Sequence, residues 1–243
     1  MTFKDLMLVM IIYTTSMLLA HVHAEVVIHG TRVVYLSDAR ETTVHISNQG
    51  LDPALVQLWI DEGDSKSSPE QSNAPFFITP PISRIDADKS QSFRIIALPS
   101  VSALSQTQES IYWLNVLDIP AKPNKAQLET GTKNYLQLAI RSRIKIFYRP
   151  AALQNQAADA AKKLQWSQQG SQLYIKNPTA FYITLQSIYE QKNLHQGELY
   201  RDGFMLPPYS DKKIDLNISQ RGALFYSSIN DYGAAVENKI KLQ

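Results

Sequence analysis

Leu136-Gln-Leu-Ala-Ile140-Arg-Ser-Arg-Ile-Lys145-Ile-Phe-Tyr-Arg149 is the stretch on which the reading of this chain turns. Its period of two predicts one long strand, because successive side chains leave a pleated backbone on opposite faces. Leu136, Leu138 and Ile140 alternate with Gln137, Ala139 and Arg141; further along, Arg141, Arg143 and Lys145 share one face while Ile144, Ile146 and Tyr148 share the other. Taken alone, the pattern favours a core strand with its leucines turned into their own domain and a basic face open to water. The rival is an edge strand whose apolar row and free backbone groups form a template for another chain.

Outward from this strand, the chain predicts short strands separated by turn chemistry. Val26–Ile28, Arg32–Leu36, Thr42–Ile46, Leu55–Ile60, Ser90–Ala97 and Ser110–Leu117 precede it, with Asp61–Ser72 polar enough for a loop. Pro75-Phe-Phe-Ile-Thr-Pro-Pro81 is extended, but its prolines exclude a central hydrogen-bonded strand. Pro150 ends the long strand, since proline lacks the amide a ladder needs. Ala157–Leu164 is alanine-rich enough for a turn or two of helix, and strand-like runs follow at Leu173–Lys176, Phe181–Tyr189, Gly197–Leu199, Lys212–Ile218 and Ala223–Asn230. Such spacing predicts antiparallel sandwiches.

The N-terminus reads as a signal peptide over residues 1–24: Lys4, an apolar run from Leu6 to Ala20, then Val22-His23-Ala24 with small residues where a signal peptidase reads. Two domains of about 100 residues follow, 25–149 and 157–243, with a linker at 150–156. No later segment is apolar for long enough to span a bilayer, so no membrane insertion is expected. The net charge is +2 and Lys4 and Asp5 cancel, which leaves no whole-chain case for nucleic acid. Cysteine is absent. An exported chain without disulfides must rely on its apolar cores.

Catalytic chemistry is not visible. Beyond the leader only His29, His45 and His195 remain, without metal-ligand spacing, and no cofactor is expected. There is no Gly-x-Ser-x-Gly elbow and no glycine-rich phosphate loop. Asp61, Glu62 and Asp64 read as solvated loop charges, and Asn217-Ile-Ser219 as a chance glycosylation pattern.

Six ordered motifs carry a resemblance. They are Thr31-Arg32; Phe77-x-Thr79-Pro-Pro-x-x-Arg84; Glu109-Ser-x-x-Trp113-Leu-Asn-Val-x-x-Ile119-Pro; Leu136-Gln-Leu-Ala-Ile-x-Ser-Arg-Ile-Lys145-x-x-Tyr-Arg-Pro150; Asn177-Pro-Thr179; and Asn230-Asp-Tyr-Gly233. From Val26 to about Gly233 the chain resembles the periplasmic chaperones of the chaperone–usher pathway. The resemblance implies an all-β protein of two immunoglobulin-like sandwiches set as a boomerang, without enzymatic activity. It implies pilus or fimbrial subunits and an outer-membrane usher as partners. Leu136, Leu138 and Ile140 match the apolar residues of a strand lent to the subunit, Arg32 and Lys145 the pair that holds the subunit's C-terminal carboxylate, and Glu109, Arg149 and Asp231 an interdomain charge network. A free donor row also permits self-association. The short connection Pro120–Asn134 and the lack of cysteine suit the short-loop class. A pilus subunit or adhesin, or a periplasmic enzyme, is the alternative from another class. Lys145 lies an odd number of residues from Ile140, so unbroken alternation sends anchor and donor row to opposite faces unless a bulge intervenes.

Overall fold

A computed structural model describes residues 26–120, 138–190, 198–216 and 223–242. The proposed leader, Leu136, most of the connection before the long strand, His195 and the Asn217 pattern lie outside the described residues.

The first domain contains β1 (Val26–Ile28), β2 (Arg32–Leu36), β3 (Glu41–Asn48), β4 (Ala54–Asp61), β5 (Phe76–Thr79), β6 (Ile82–Ile85), β7 (Ser90–Ala97), β8 (Ser110–Ile119) and β9 (Ile140–Arg149). They form two sheets, ordered β1-β3-β7-β5 and β2-β9-β8-β4-β6. Strict alternation decides the inward faces. Val44 and Ile46 of β3 are buried while His45 is exposed, and Phe93 and Ile95 of β7 are buried beside exposed Arg94. These side chains meet Tyr35, Leu114, Ile146 and Tyr148 from the second sheet in one core. The Pro80-Pro81 pair lies between β5 and β6, each an edge strand of a different sheet. The prolines thus occupy the crossing, where no amide is missed.

The second domain follows Pro150 through a 3-10 turn at Ala151–Gln156 and a short helix, α1 (Ala157–Ala160). Its strands are β10 (Gln165–Gln169), β11 (Gln172–Lys176), β12 (Ile183–Tyr189), β13 (Glu198–Tyr200), β14 (Phe204–Leu206), β15 (Asp211–Asp215), β16 (Phe225–Ile229) and β17 (Ala235–Lys239). One sheet runs β10-β11-β15 and the other β13-β12-β16-β17, with β14 also on β12. Leu173, Ile175, Ile188, Leu206 and Tyr226 centre the core, and Ala160 and Leu164 seal it from the linker side. The chain is therefore a two-domain, mostly β protein.

The alternating strands of the sequence reading are present, with three differences of substance. Within the described residues the long strand begins at Ile140, with Leu138 and Ala139 outside it, because it gains a ladder partner only where Asp118 of β8 lies opposite Ile140. Asp61 closes β4 opposite Trp113 instead of opening a loop. Strands β6, β10, β14 and β17 were not anticipated: β6 buries only Ile85, Gln165-Trp-Ser-Gln-Gln169 buries one large side chain, and β17 lies exposed along an edge.

Candidate functional site

The two sheets of the first domain share the opening segment. β1 pairs with β3 in one sheet, the chain turns at Gly30 in a positive-φ conformation (φ 123°), and β2 joins β9 in the other. That switch determines how much of the β9 edge is paired. Parallel pairing with β2 begins only at Arg32 opposite Lys145. From Ile140 to Ile144, β9 has β8 on one side and, among the described residues, no strand on the other.

One face of β9 changes character along its length. Leu138, just before the strand, is 64% exposed and Ile140 60%, whereas Ile146 and Tyr148 on the same face are 0% and 2% exposed. The half-buried Ile144 joins the two segments. The apolar row, interrupted at exposed Ser142, is thus buried in the protein's own core at one end and bare at the other. The β8–β9 register runs from Asp118↔Ile140 to Ser110↔Tyr148 without a shift. No bulge intervenes in β9, and Lys145 lies on the face opposite Ile140.

That opposite face looks towards the second domain. Phe147 meets the Tyr182 ring at 5.9 Å, and Lys145 lines a cleft of about 390 Å³ with Thr184, Gln186, Phe204 and Met205. Arg32 and Lys145 are direct Cα partners across the parallel ladder. Arg32 Nη1 donates to the Ile229 carbonyl at 3.1 Å, and its guanidinium lies 5.6 Å from the Phe147 ring centre. Its buried Nε and the buried Thr184 hydroxyl lack partners among the described residues. Burial lowers the Lys145 pKa, and the neighbouring Arg32 lowers it further. Burial also lowers that of Arg32, against the pull of Asp231 and Glu109. Arg32 and Lys145 are thus two adjacent cations, each disfavoured by burial and neither in a direct ion pair among the described residues, a charge that an anion can compensate.

Below the cleft, Arg149 joins the domains. Its Nε donates to Glu109 Oε1 at 2.7 Å, and its Nη atoms grip both oxygens of Asp231 at 2.7 and 2.8 Å. Glu109 Oε2 accepts from the Tyr182 amide at 2.8 Å, while the Glu109 amide donates to the Ala180 carbonyl at 2.9 Å. Burial raises the Glu109 pKa despite Arg149. For Arg149, burial is outweighed by its two carboxylate partners, so its pKa is raised. Asn177, wholly buried, shapes the receiving loop by donating to the Phe181 and Pro207 carbonyls and accepting from Thr179. Gly233 (φ 82°) presses on Thr31 so closely that a β-carbon there would overlap its hydroxyl. Markers far apart in sequence, Thr31-Arg32, Glu109, Arg149, Asn177-Pro-Thr179 and Asn230–Gly233, therefore converge on one junction.

Residues 25–154 match the family model described as pili and flagellar-assembly chaperone, PapD N-terminal domain, and residues 159–240 match pili assembly chaperone PapD, C-terminal domain. The chain belongs to the PapD family of pilus-assembly chaperones. Relatives of this PapD-family chain include chaperone protein MrkB of Klebsiella pneumoniae, 42% identical over 90% of this chain and 91% of that one. The probable fimbrial chaperone YadV of Escherichia coli K12 is 37% identical over 90% of each. The crystal structure of YadV superposes with a TM-score of 0.70 at 35% identity, covering 90% of this chain and 100% of that one. SafB, solved with the SafA pilin of Salmonella enterica, gives 0.73 at 28% identity, covering 92% and 99%.

Local pattern alone gives this PapD-family protein a solvated basic face on β9 and a solvated Asp61. Both are corrected. Arg141 stacks over Trp59 and Arg143 over Trp113, each with 4.6 Å to the ring centre. Asp61, 2% exposed, receives Arg143 Nη2 and Nε, the Asn115 amide at 2.6 Å and the Gly63 amide at 2.7 Å. Arg141 donates to Asn115 Oδ1 through Nε at 2.9 Å and Nη2 at 2.6 Å. Burial pushes the Asp61 pKa up, but these donors outweigh it and hold the carboxyl below its ordinary range. Glu62 and Asp64 are exposed, as read. The available signal was Trp59-Ile-Asp61 in alternation with Trp113-x-Asn115.

Proposed function

We propose that this protein is an ATP-independent chaperone of the periplasm that binds pilus subunits by lending them β9 and passes them to an outer-membrane usher. The observation that carries the reading is the apolar face of β9, bare at Leu138 and Ile140 beside a strand edge unpaired among the described residues and leading through Ile144 to the protein's own core at Ile146. An incomplete sandwich that adds β9 as a strand extends that core across the interface. Leu136 belongs to the same row in this proposal.

Full burial of three such side chains contributes roughly 5–9 kcal/mol, at about 1.5–3 each. Each new backbone hydrogen bond adds about 1 kcal/mol. Arg32 and Lys145 receive the subunit's terminal carboxylate, and because they sit at a fixed row of the ladder they set the register of the added strand. The opposite-face placement of Lys145 suits this division: one face of β9 enters the subunit and the other looks into the cleft. The SafB–SafA complex of a relative supports a subunit partner. Glu109, Arg149 and Asp231 hold the two domains so that the cleft is preformed.

The test is co-purification. The tagged mature chain, expressed with each candidate subunit of the same organism, yields a one-to-one complex that Lys145→Ala abolishes without unfolding the chaperone. Normal recovery of subunit with Lys145→Ala refutes the anchor assignment, and no complex with any candidate refutes the chaperone reading.

A further inference from the structure

The free half of β9 poses a physical problem. Among the described residues it has one ladder neighbour, and the face bearing Ile140 is exposed, so little apolar burial holds it in place. A strand in that condition frays or slips, and a slip of one residue turns the apolar row to the wrong face.

The opposite face supplies what is missing. Asp61, Trp113 and Lys145 lie in one row across β4, β8 and β9, and Trp59, Asn115 and Arg143 lie in the next. Arg143 leaves its own row to reach Asp61, two strands away, and covers Trp113 on the way. Arg141 makes the parallel move onto Asn115 and Trp59. Asn115 lies beneath both, wholly buried, accepting from the two guanidiniums through Oδ1 and donating to Asp61 through Nδ2. These bonds span three strands and match one register only, since a slip of two residues would carry each arginine off its ring and its acceptor.

We infer that Asp61 is a positioning residue for subunit capture: with Asn115 it clamps Arg141 and Arg143 and so fixes the register and extension of the lent half of β9 before a subunit arrives. The deduction rests on the chaperone reading for its purpose but not for its geometry. The clamp also leaves Lys145 available. Its ammonium lies 5.1 Å from the Trp113 ring, in the same row as Asp61, yet the carboxylate is engaged by Arg143 and not by Lys145. Ordering the donor in advance removes part of the conformational cost of binding.

The test uses the mature chain as wild type, Asp61→Asn and Arg141→Gln. The last removes the more exposed guanidinium and decides the matter should the buried substitution not fold. Amide hydrogen exchange is followed on the free protein at the β9 amides bonded to β8 within Ile140–Ile144. Reference amides are those of Ile146–Tyr148 and of Leu58–Ile60. The clamp predicts exchange about tenfold faster in the donor half with the reference segments within about twofold. Uniform acceleration across β4, β8 and β9 makes Asp61 an ordinary stability residue and overturns the inference, as does unchanged exchange in the donor half. Binding is then measured with the subunit that co-purifies with wild type, where affinity falls about tenfold in each variant; unchanged affinity overturns the positioning role. Because exchange is read without subunit, failure to find any binding subunit counts against the chaperone reading and leaves the clamp judged on its own data.

Discussion

Ile140 and Ile146 are the same residue type on the same face of the same strand, and they differ in what surrounds them. Truncating each to alanine therefore separates a residue kept for a partner from one kept for the fold. Ile146 is 0% exposed, and Ile146→Ala is expected to cost the free protein about 2–5 kcal/mol through lost transfer energy and a cavity. Ile140 is 60% exposed, so a partner can still bury that share of a side chain worth about 1.5–3 kcal/mol, or about 1–2 kcal/mol. Ile140→Ala is then expected to leave the urea midpoint of the free chaperone nearly unchanged and to weaken subunit binding roughly 5- to 30-fold. Equilibrium unfolding of the free variants and calorimetric titration with the co-purifying subunit read the two quantities separately. The reasoning is refuted if Ile140→Ala destabilises the free protein as much as Ile146→Ala does, or if subunit affinity is indifferent to it.

Three further outcomes follow from the charged groups. Arg149→Ala strands the buried Glu109 carboxylate and is expected to cost about 3–5 kcal/mol in urea unfolding, while Glu109→Gln, which keeps an acceptor for Arg149, costs clearly less. Asp61 has a folded-state pKa below its unfolded one, so its stabilisation is complete above the ordinary carboxylate range and disappears as pH falls through the depressed value. Acid unfolding curves of wild type and Asp61→Asn should accordingly differ most near neutrality and converge at low pH. Lys145 has a lowered pKa from burial and Arg32, so capture of a carboxylate is full below that value and weakens as pH rises through it; Lys145→Arg removes this alkaline dependence in a binding titration.

Much of the fold was legible because half-buried strands declare themselves by alternation: β3, β7 and β8 each place apolar side chains at every second position. The misses have the same root. β17 is exposed along most of its length and β10 buries a single tryptophan, so neither needs an apolar rhythm. Arg32, Lys145, Glu109, Arg149 and Asp231 were singled out through ordered motifs, and the structure pairs Arg32 with Lys145 and joins Arg149 to Glu109 and Asp231. Asp61 escaped because its partners lie on β8 and β9. Beside Glu62 and Asp64 it has the local look of a solvated charge, and only strand pairing distinguishes it.

By itself the sequence determined that the chain is all-β, that Leu138, Ile140, Ile144, Ile146 and Tyr148 share one face, and that Lys145 has the opposite parity. Those are consequences of a two-residue backbone repeat, which needs no knowledge of neighbours. Which part of that face is core and which is left bare was decided by tertiary structure alone. β2 crosses from one sheet to the other at Gly30 and closes the edge of β9 only from Lys145 onward, and on the apolar face it is Ile146 and Tyr148 that join the core shared with the facing sheet. Burial depends on what packs against a residue, and in β9 that changes midway along one face, between Ile140 and Ile146.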